Sequence, residues 1–271
     1  MKNNFWALFL RTIKDRRTTL IIYCVVVVLM MWMYVALFPI MKDQGEKLEE
    51  VFKLYPPAFI EAFNLNIKTF ITLEGFLSME QFSLIWPIFA IIIAVSLAGS
   101  SLAGEIEKGT MELLLSQPIS RIKIFLSKYL AGILIMLIFV IVSIYAVAPI
   151  AAVHKIDYPI ENFAKFSIIA FMFLLAINGI SMFFASLFSQ KGKVYFISAG
   201  IVVTMYVANI VANIKESLND LKFLSFFYYY DSAKILIGGN IDNWSYLVFL
   251  GIAVIFTVLG AIIFIKRDVA V

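Results

Sequence analysis

Apolar and polar positions in this chain fall into long blocks, not into the short periods of half-buried helices or strands. Six stretches, 20–41, 82–103, 129–153, 166–188, 194–213 and 244–265, contain no charged side chain. Each is 20 to 25 residues long. At about 1.5 Å of rise per residue, a helix of that length crosses a hydrocarbon core of roughly 30 Å. Lipid offers backbone N–H and C=O groups no partner, so each span must satisfy them internally as a helix. A soluble fold of 271 residues could not hide six such helices. With 62% hydrophobic residues and a mean hydropathy of +0.95, the chain is expected to be an all-α membrane protein. Residues 1–271 form one transmembrane domain, with no internal repeat and no low-complexity linker.

The connections between the spans differ in length. The first outer loop, 42–81, is acidic and helix-prone over 45–53, broken at Pro56-Pro57 and apolar-rich over 58–65. Its last part, 70–79, has the composition of a segment lying on the membrane surface. The last outer loop, 214–243, carries the aromatic run Phe226-Phe227-Tyr228-Tyr229-Tyr230. Aromatic rings favour the headgroup zone, which makes this run an interfacial anchor; a rim around an exit path is the sharper alternative. Before the first span, Phe5, Trp6 and Phe9 interleave with Arg11 and Lys14, as in an amphipathic helix in the inner interface that turns into the membrane near Thr18 and Thr19. The first apolar block is too long for a secretory signal and lacks a small-x-small cleavage site, so it reads as a retained anchor.

Charge sets the orientation. The side holding the N-terminus, the second-to-third connection, the fourth-to-fifth connection and the C-terminus carries a net +8; the other carries −4, together the chain's +4. The positive-inside rule places both termini in the cytoplasm of a multi-pass, prokaryotic cell membrane protein. Basic residues beside a bilayer meet anionic headgroups, so the high pI requires no nucleic acid. One Cys and one His exclude a disulfide, a zinc cluster and a His-based triad within the chain. Polar residues in the spans, among them Ser100, Ser101, Ser143, Asn178, Ser181 and Asn209, are uncharged. Ion-coupled carriers keep ionisable groups at mid-depth, so a self-powered secondary transporter is disfavoured. In the second span, Ala94/Ala98 and Gly99/Ala103 are small-xxx-small pairs that permit close approach, either at the centre of the bundle or at a dimer face.

The most specific segment joins spans two and three on the inner side. The second helix continues as 105–108. A short helix over 110–116 then places Met111, Leu114 and Leu115 on one face. Gly109 permits a turn, and Thr110 is a candidate cap. Pro118 breaks the chain, and Ser120 starts the third helix. Gly104 and Gly109 have phosphate-loop spacing, but Thr110 stands where the lysine belongs, so this is not a nucleotide site.

The string Gly104-Glu105-Ile106-Glu107-Lys108-Gly109-Thr110-Met111-Glu112-Leu113-Leu114-Leu115, followed by Pro118, Ser120-Arg121 and Lys128, resembles the signature of ABC-2-type transporter permeases. Six spans, both ends inside and an amphipathic leading helix also match. The resemblance implies a half-transporter that pairs with a second permease copy or a paralogue. It implies two copies of a cytoplasmic ABC ATPase, which would bind the ATP and Mg; this chain would bind no cofactor. Segment 105–116 would act as the coupling helix region. Glu105, Glu107 and Glu112 would meet basic residues on the ATPase or stay solvated. Met111, Leu114 and Leu115 would enter its groove or pack at the membrane surface, and Arg121 and Lys128 would meet lipid headgroups. The uncharged spans suit an amphipathic or apolar cargo: a peptide, an antibiotic or a lipid-like molecule. A channel or scaffold that works without ATP is the alternative. A membrane enzyme would need reactive groups gathered at one depth, which the sequence does not offer.

Overall fold

The computed structural model describes residues 4–44, 54–55 and 71–268. The features expected at 45–53, at Pro56-Pro57 and over 58–65 lie outside the described residues. Helices account for almost all of the rest, and there is no strand among the described residues. Six helices are long and apolar enough to cross a membrane.

The first, α1 (Asn4–Asp43), is unbroken. The expected turn near Thr18 and Thr19 is absent: the inner aromatic and basic residues extend the first span. Nothing between Asn4 and Pro39 removes a backbone donor, so the ladder has no reason to stop. The second, α2 (Leu73–Ser101), starts earlier than its apolar block. Thr72 caps it by accepting the Gly75 N–H at 3.2 Å. Leu73, Phe76 and Leu77 are buried, with Phe76 against Tyr34 and Phe38 of α1. The end of the segment expected on the membrane surface is thus the outer end of a span. Within α2, Ser78–Ile85 is a π-helix, in which the Trp86 N–H reaches back five residues to the Gln81 carbonyl. Pro87 cannot donate and its ring crowds the preceding turn, which accounts for the widened register upstream.

The connection between the second and third spans contains α3 (Ala103–Glu107) and α4 (Thr110–Leu115). The third span is α5 (Arg121–Tyr145) continued by α6 (Val147–His154). The break at Ala146 falls where Pro149 has no N–H to give the Tyr145 carbonyl. The remaining spans are α7 (Ile160–Leu187), α8 (Lys191–Ile214) and α11 (Asn243–Lys266). Between the last two lie a 3-10 helix (Glu216–Leu224), α9 (Phe226–Tyr230) and α10 (Ser232–Gly238).

Helix α7 is the hub, buried along most of its length, while α1, α8 and α11 leave wide apolar faces outward. Its partner is α11. A Cβ on Gly179 would lie 2.9 Å from the Ala253 carbonyl oxygen, and one on Gly260 would lie 3.0 Å from the Phe183 Cα, so the two backbones approach because these residues lack side chains. The small residues of α2 serve the same bundle: Ala94, Ala98 and Ala103 are buried, and Gly99 faces Tyr195 and Val194 of α8. Of the two placements open to that stripe, the centre of the bundle holds.

Two members of the aromatic run belong to the core, while Phe227, Tyr228 and Tyr229 stay half-buried. Phe226 and Tyr230 are buried. Tyr230 stacks on Trp86 at 6.0 Å, and Phe226 and Tyr230 both meet Phe173 of α7. Trp86 also stacks on Phe139 and donates to the Ser143 hydroxyl at 2.8 Å. Helix α9 therefore closes the end of the core opposite the second-to-third connection. A polar backbone turn can enter there because it is helical and capped by Ser225, which accepts the Phe227 N–H.

Candidate functional site

The elbow between the second and third spans is built from three backbone decisions. Helix α2 ends at Leu102, where ψ falls to −62° at φ −109°. Helix α3 adds little more than one turn, and the Gly109 N–H closes it on the Ile106 carbonyl at 3.0 Å. Gly109 then adopts φ +71°, a left-handed conformation that costs a side-chain-bearing residue about 1–2 kcal/mol. This reverses the chain into α4, and Pro118 follows in the irregular link to α5.

One carboxylate holds the elbow. Glu105 accepts a 2.8 Å ion pair from the Lys128 Nζ on α5. It also accepts the hydroxyl of Thr110, the first residue of α4. Burial alone would raise the Glu105 carboxyl. The Lys128 charge, the hydrogen bonds from Lys128 and Thr110 and the more distant Arg11 together outweigh it and hold the group below its ordinary value. Lys128 is 4% exposed. It is a buried structural partner, so its expected contact with lipid headgroups is not made. Nor is Thr110 the cap of α4: Gly109 occupies the N-cap position, and the Thr110 hydroxyl faces backwards to Glu105. Ser120 does stand at the N-cap of α5, without a side-chain bond.

Glu107 is exposed yet engaged. It accepts the backbone N–H of Lys191 at 2.9 Å, capping the start of α8 from another element. Arg121 donates to the carbonyls of Ile265 and Arg267, and Arg267 donates to the Ser186 carbonyl at 2.9 Å and to the Ser189 hydroxyl. Arg121 therefore ties the start of α5 to the end of α11.

Beneath α4 lies an apolar node that sequence reasoning did not find. Leu8 of α1, Ala98 of α2, Ile106, Met111, Ile124 and Phe125, Met182 and Ala185 of α7, Val194 of α8 and Phe264 of α11 pack together. Every span contributes to it. Met111 is 0% exposed, so it points into this chain's own bundle and cannot enter a partner's groove. Leu114 and Leu115 are half-buried against the same node. The face left outward is Glu112, Leu113, Ser116 and Gln117, with Leu113 68% exposed. The spacing of apolar residues found α4, but it could not say whether the Met111 face or the Leu113 face turns inward.

On the leading helix, Phe5 and Phe9 are half-buried and flank the exposed Trp6 in edge-to-face contacts at 5.4 and 5.5 Å. Arg11 and Lys14 are exposed, and Arg11 pairs with Asp15 at 3.7 Å. This aromatic and basic collar sits at the same end of the molecule as the elbow, which Leu8 joins through the node. Among the described residues, no group of three His, Cys, Asp or Glu could hold a metal ion.

The arrangement is a short helix mounted on the convergence of six membrane helices. No curated protein matches the sequence. The family model described as ABC-2 family transporter protein matches residues 6–269, from the aromatic collar to the residues just beyond α11. The match covers nearly the entire chain, and with it the six spans and the elbow: this multi-pass membrane protein belongs to the ABC-2 family of transporter proteins, as a membrane permease of an ABC transporter.

Proposed function

We propose that the chain is a permease half of an ATP-driven exporter, with both termini in the cytoplasm, moving an amphipathic or apolar cargo outward. A separate ATPase, in two copies, supplies the work through α4, and a second permease copy or a paralogue completes the membrane unit. One observation carries the reading: α4 is held at its first residue by Glu105, itself paired with Lys128, and is seated on a node fed by every span. A push on its outward face is transmitted to the helix bundle because close-packed interiors deform little. The uncharged, aromatic-rich core supports an apolar or amphipathic cargo and gives no sign of ion coupling.

The test is co-purification of the tagged permease with a cytoplasmic ABC ATPase from the producing cell, followed by ATP hydrolysis in nanodiscs. Replacing Glu112→Lys and Leu113→Asp together, both on the outward face, is expected to cut ATPase recovery roughly tenfold with melting unchanged. Wild-type recovery in that variant would remove α4 as the contact. Outward movement of cargo by the isolated permease without nucleotide would remove the exporter reading itself.

A further inference from the structure

The spans contain a polar chamber that the coupling elbow does not explain. It opens at the inner side, holds about 310 Å³, and is bounded by α1, α2, α5 and α7. Arg11, Asp15, Arg16, Lys108 and the Glu105–Lys128 pair line it. Arg11 is engaged by Asp15 and Lys128 by Glu105; among the described residues no carboxylate pairs with Arg16 or Lys108. Asn178 of α7 also lines it, 1% exposed, with its amide nitrogen lacking any hydrogen-bond partner. A buried donor is normally satisfied, so an orphan lining a polar chamber marks the place of an acceptor.

The lining carries four cations, Arg11, Arg16, Lys108 and Lys128, against two carboxylates, Asp15 and Glu105, and this excess of positive charge favours an oxyanion. A phosphate has enough oxygens to be shared between Arg16, Lys108 and Lys128, as a two-oxygen carboxylate does not.

We infer that this chamber binds a terminal phosphate group, free or at the head of a membrane lipid. The inference rests on the chain spanning a bilayer and is independent of its ATPase, so its test uses the permease alone. The purified full-length chain in a neutral detergent is offered dioleoyl phosphatidic acid, dioleoyl phosphatidylcholine or inorganic phosphate, with native mass spectrometry and melting temperature as readouts. The wild type is expected to retain phosphatidic acid roughly tenfold over phosphatidylcholine, and Arg16→Gln and Asn178→Leu are expected to lose that preference while Arg16→Lys keeps it. That result supports the site with a lipid as its source. A rise in melting temperature with inorganic phosphate alone, with the same variant dependence, supports it with a soluble phosphate as its source. Equal retention of both lipids with no response to phosphate overturns the inference. A preference unchanged in Arg16→Gln and in Asn178→Leu overturns it as well, and melting of the lipid-free variants checks that they fold.

Discussion

Glu105 and Lys128 show how unequal the two ends of one ion pair are. Lys128 is buried, whereas the Glu105 side chain keeps about a quarter of its surface in solvent. Glu105→Gln leaves a buried ammonium without its counterion and is expected to cost about 3 kcal/mol. Lys128→Met removes the buried charge altogether, leaves Glu105 its Thr110 bond and some water, and is expected to stay within about 1 kcal/mol of wild type. Thermal unfolding of the two variants measures the asymmetry. The pair also fixes a pH window. The folded carboxyl titrates below its ordinary value of 4.5, so its contribution is complete above that value and is lost as the pH falls through the lower folded one. The melting difference between wild type and Glu105→Gln should hold from neutral pH down to about 4.5 and shrink only below it. At the outer end, the Tyr230 hydroxyl is buried without a partner, and burial pushes its pKa well above 10.0. Tyr230→Phe removes an unsatisfied group while keeping the ring stacks, so its melting temperature should equal or exceed wild type.

At the scale of elements, the elbow depends on one backbone conformation. A Cβ at Gly109 would meet nothing within 4 Å, so any cost of substitution there comes from φ +71° alone. Gly109→Val should destabilise by about 2 kcal/mol and Gly109→Asn by less, because asparagine tolerates the left-handed region. If both variants melt like wild type, Gly109 does not set the geometry of α4. The sequence placed this turn correctly, since Gly between two helix-forming runs has few other uses. It could not orient α4, whose apolar residues Met111, Leu113, Leu114 and Leu115 surround more than one face. The same limit applied to α1. Its collar has the composition of a surface helix, and only contact between Leu8 and the node makes it the inner extension of a span.

Across the whole molecule, the α7–α11 seam is the contact with least tolerance. Gly179→Ala forces a Cβ against the Ala253 backbone and should cost about 1–3 kcal/mol. Gly251→Ala on the same pair of helices meets nothing and should stabilise by up to about 1 kcal/mol through helix propensity. Opposite signs in a melting assay would confirm the seam. The number of spans, the elbow and the break at Pro118 were all readable from the chain itself. Each follows from a local rule: the thickness of the bilayer, the satisfaction of backbone groups within a segment, the special torsions of Gly and Pro. Which face of each helix turns inward obeys no local rule when nearly every side chain in it is apolar. Burial of Met111, the pairing of Lys128 with Glu105, the descent of Phe226 and Tyr230 into the core and the isolation of Asn178 were settled by packing alone. Lipid and protein interior are equally apolar, so hydrophobicity carries a helix into the membrane and only the fit of neighbouring side chains decides what it touches there.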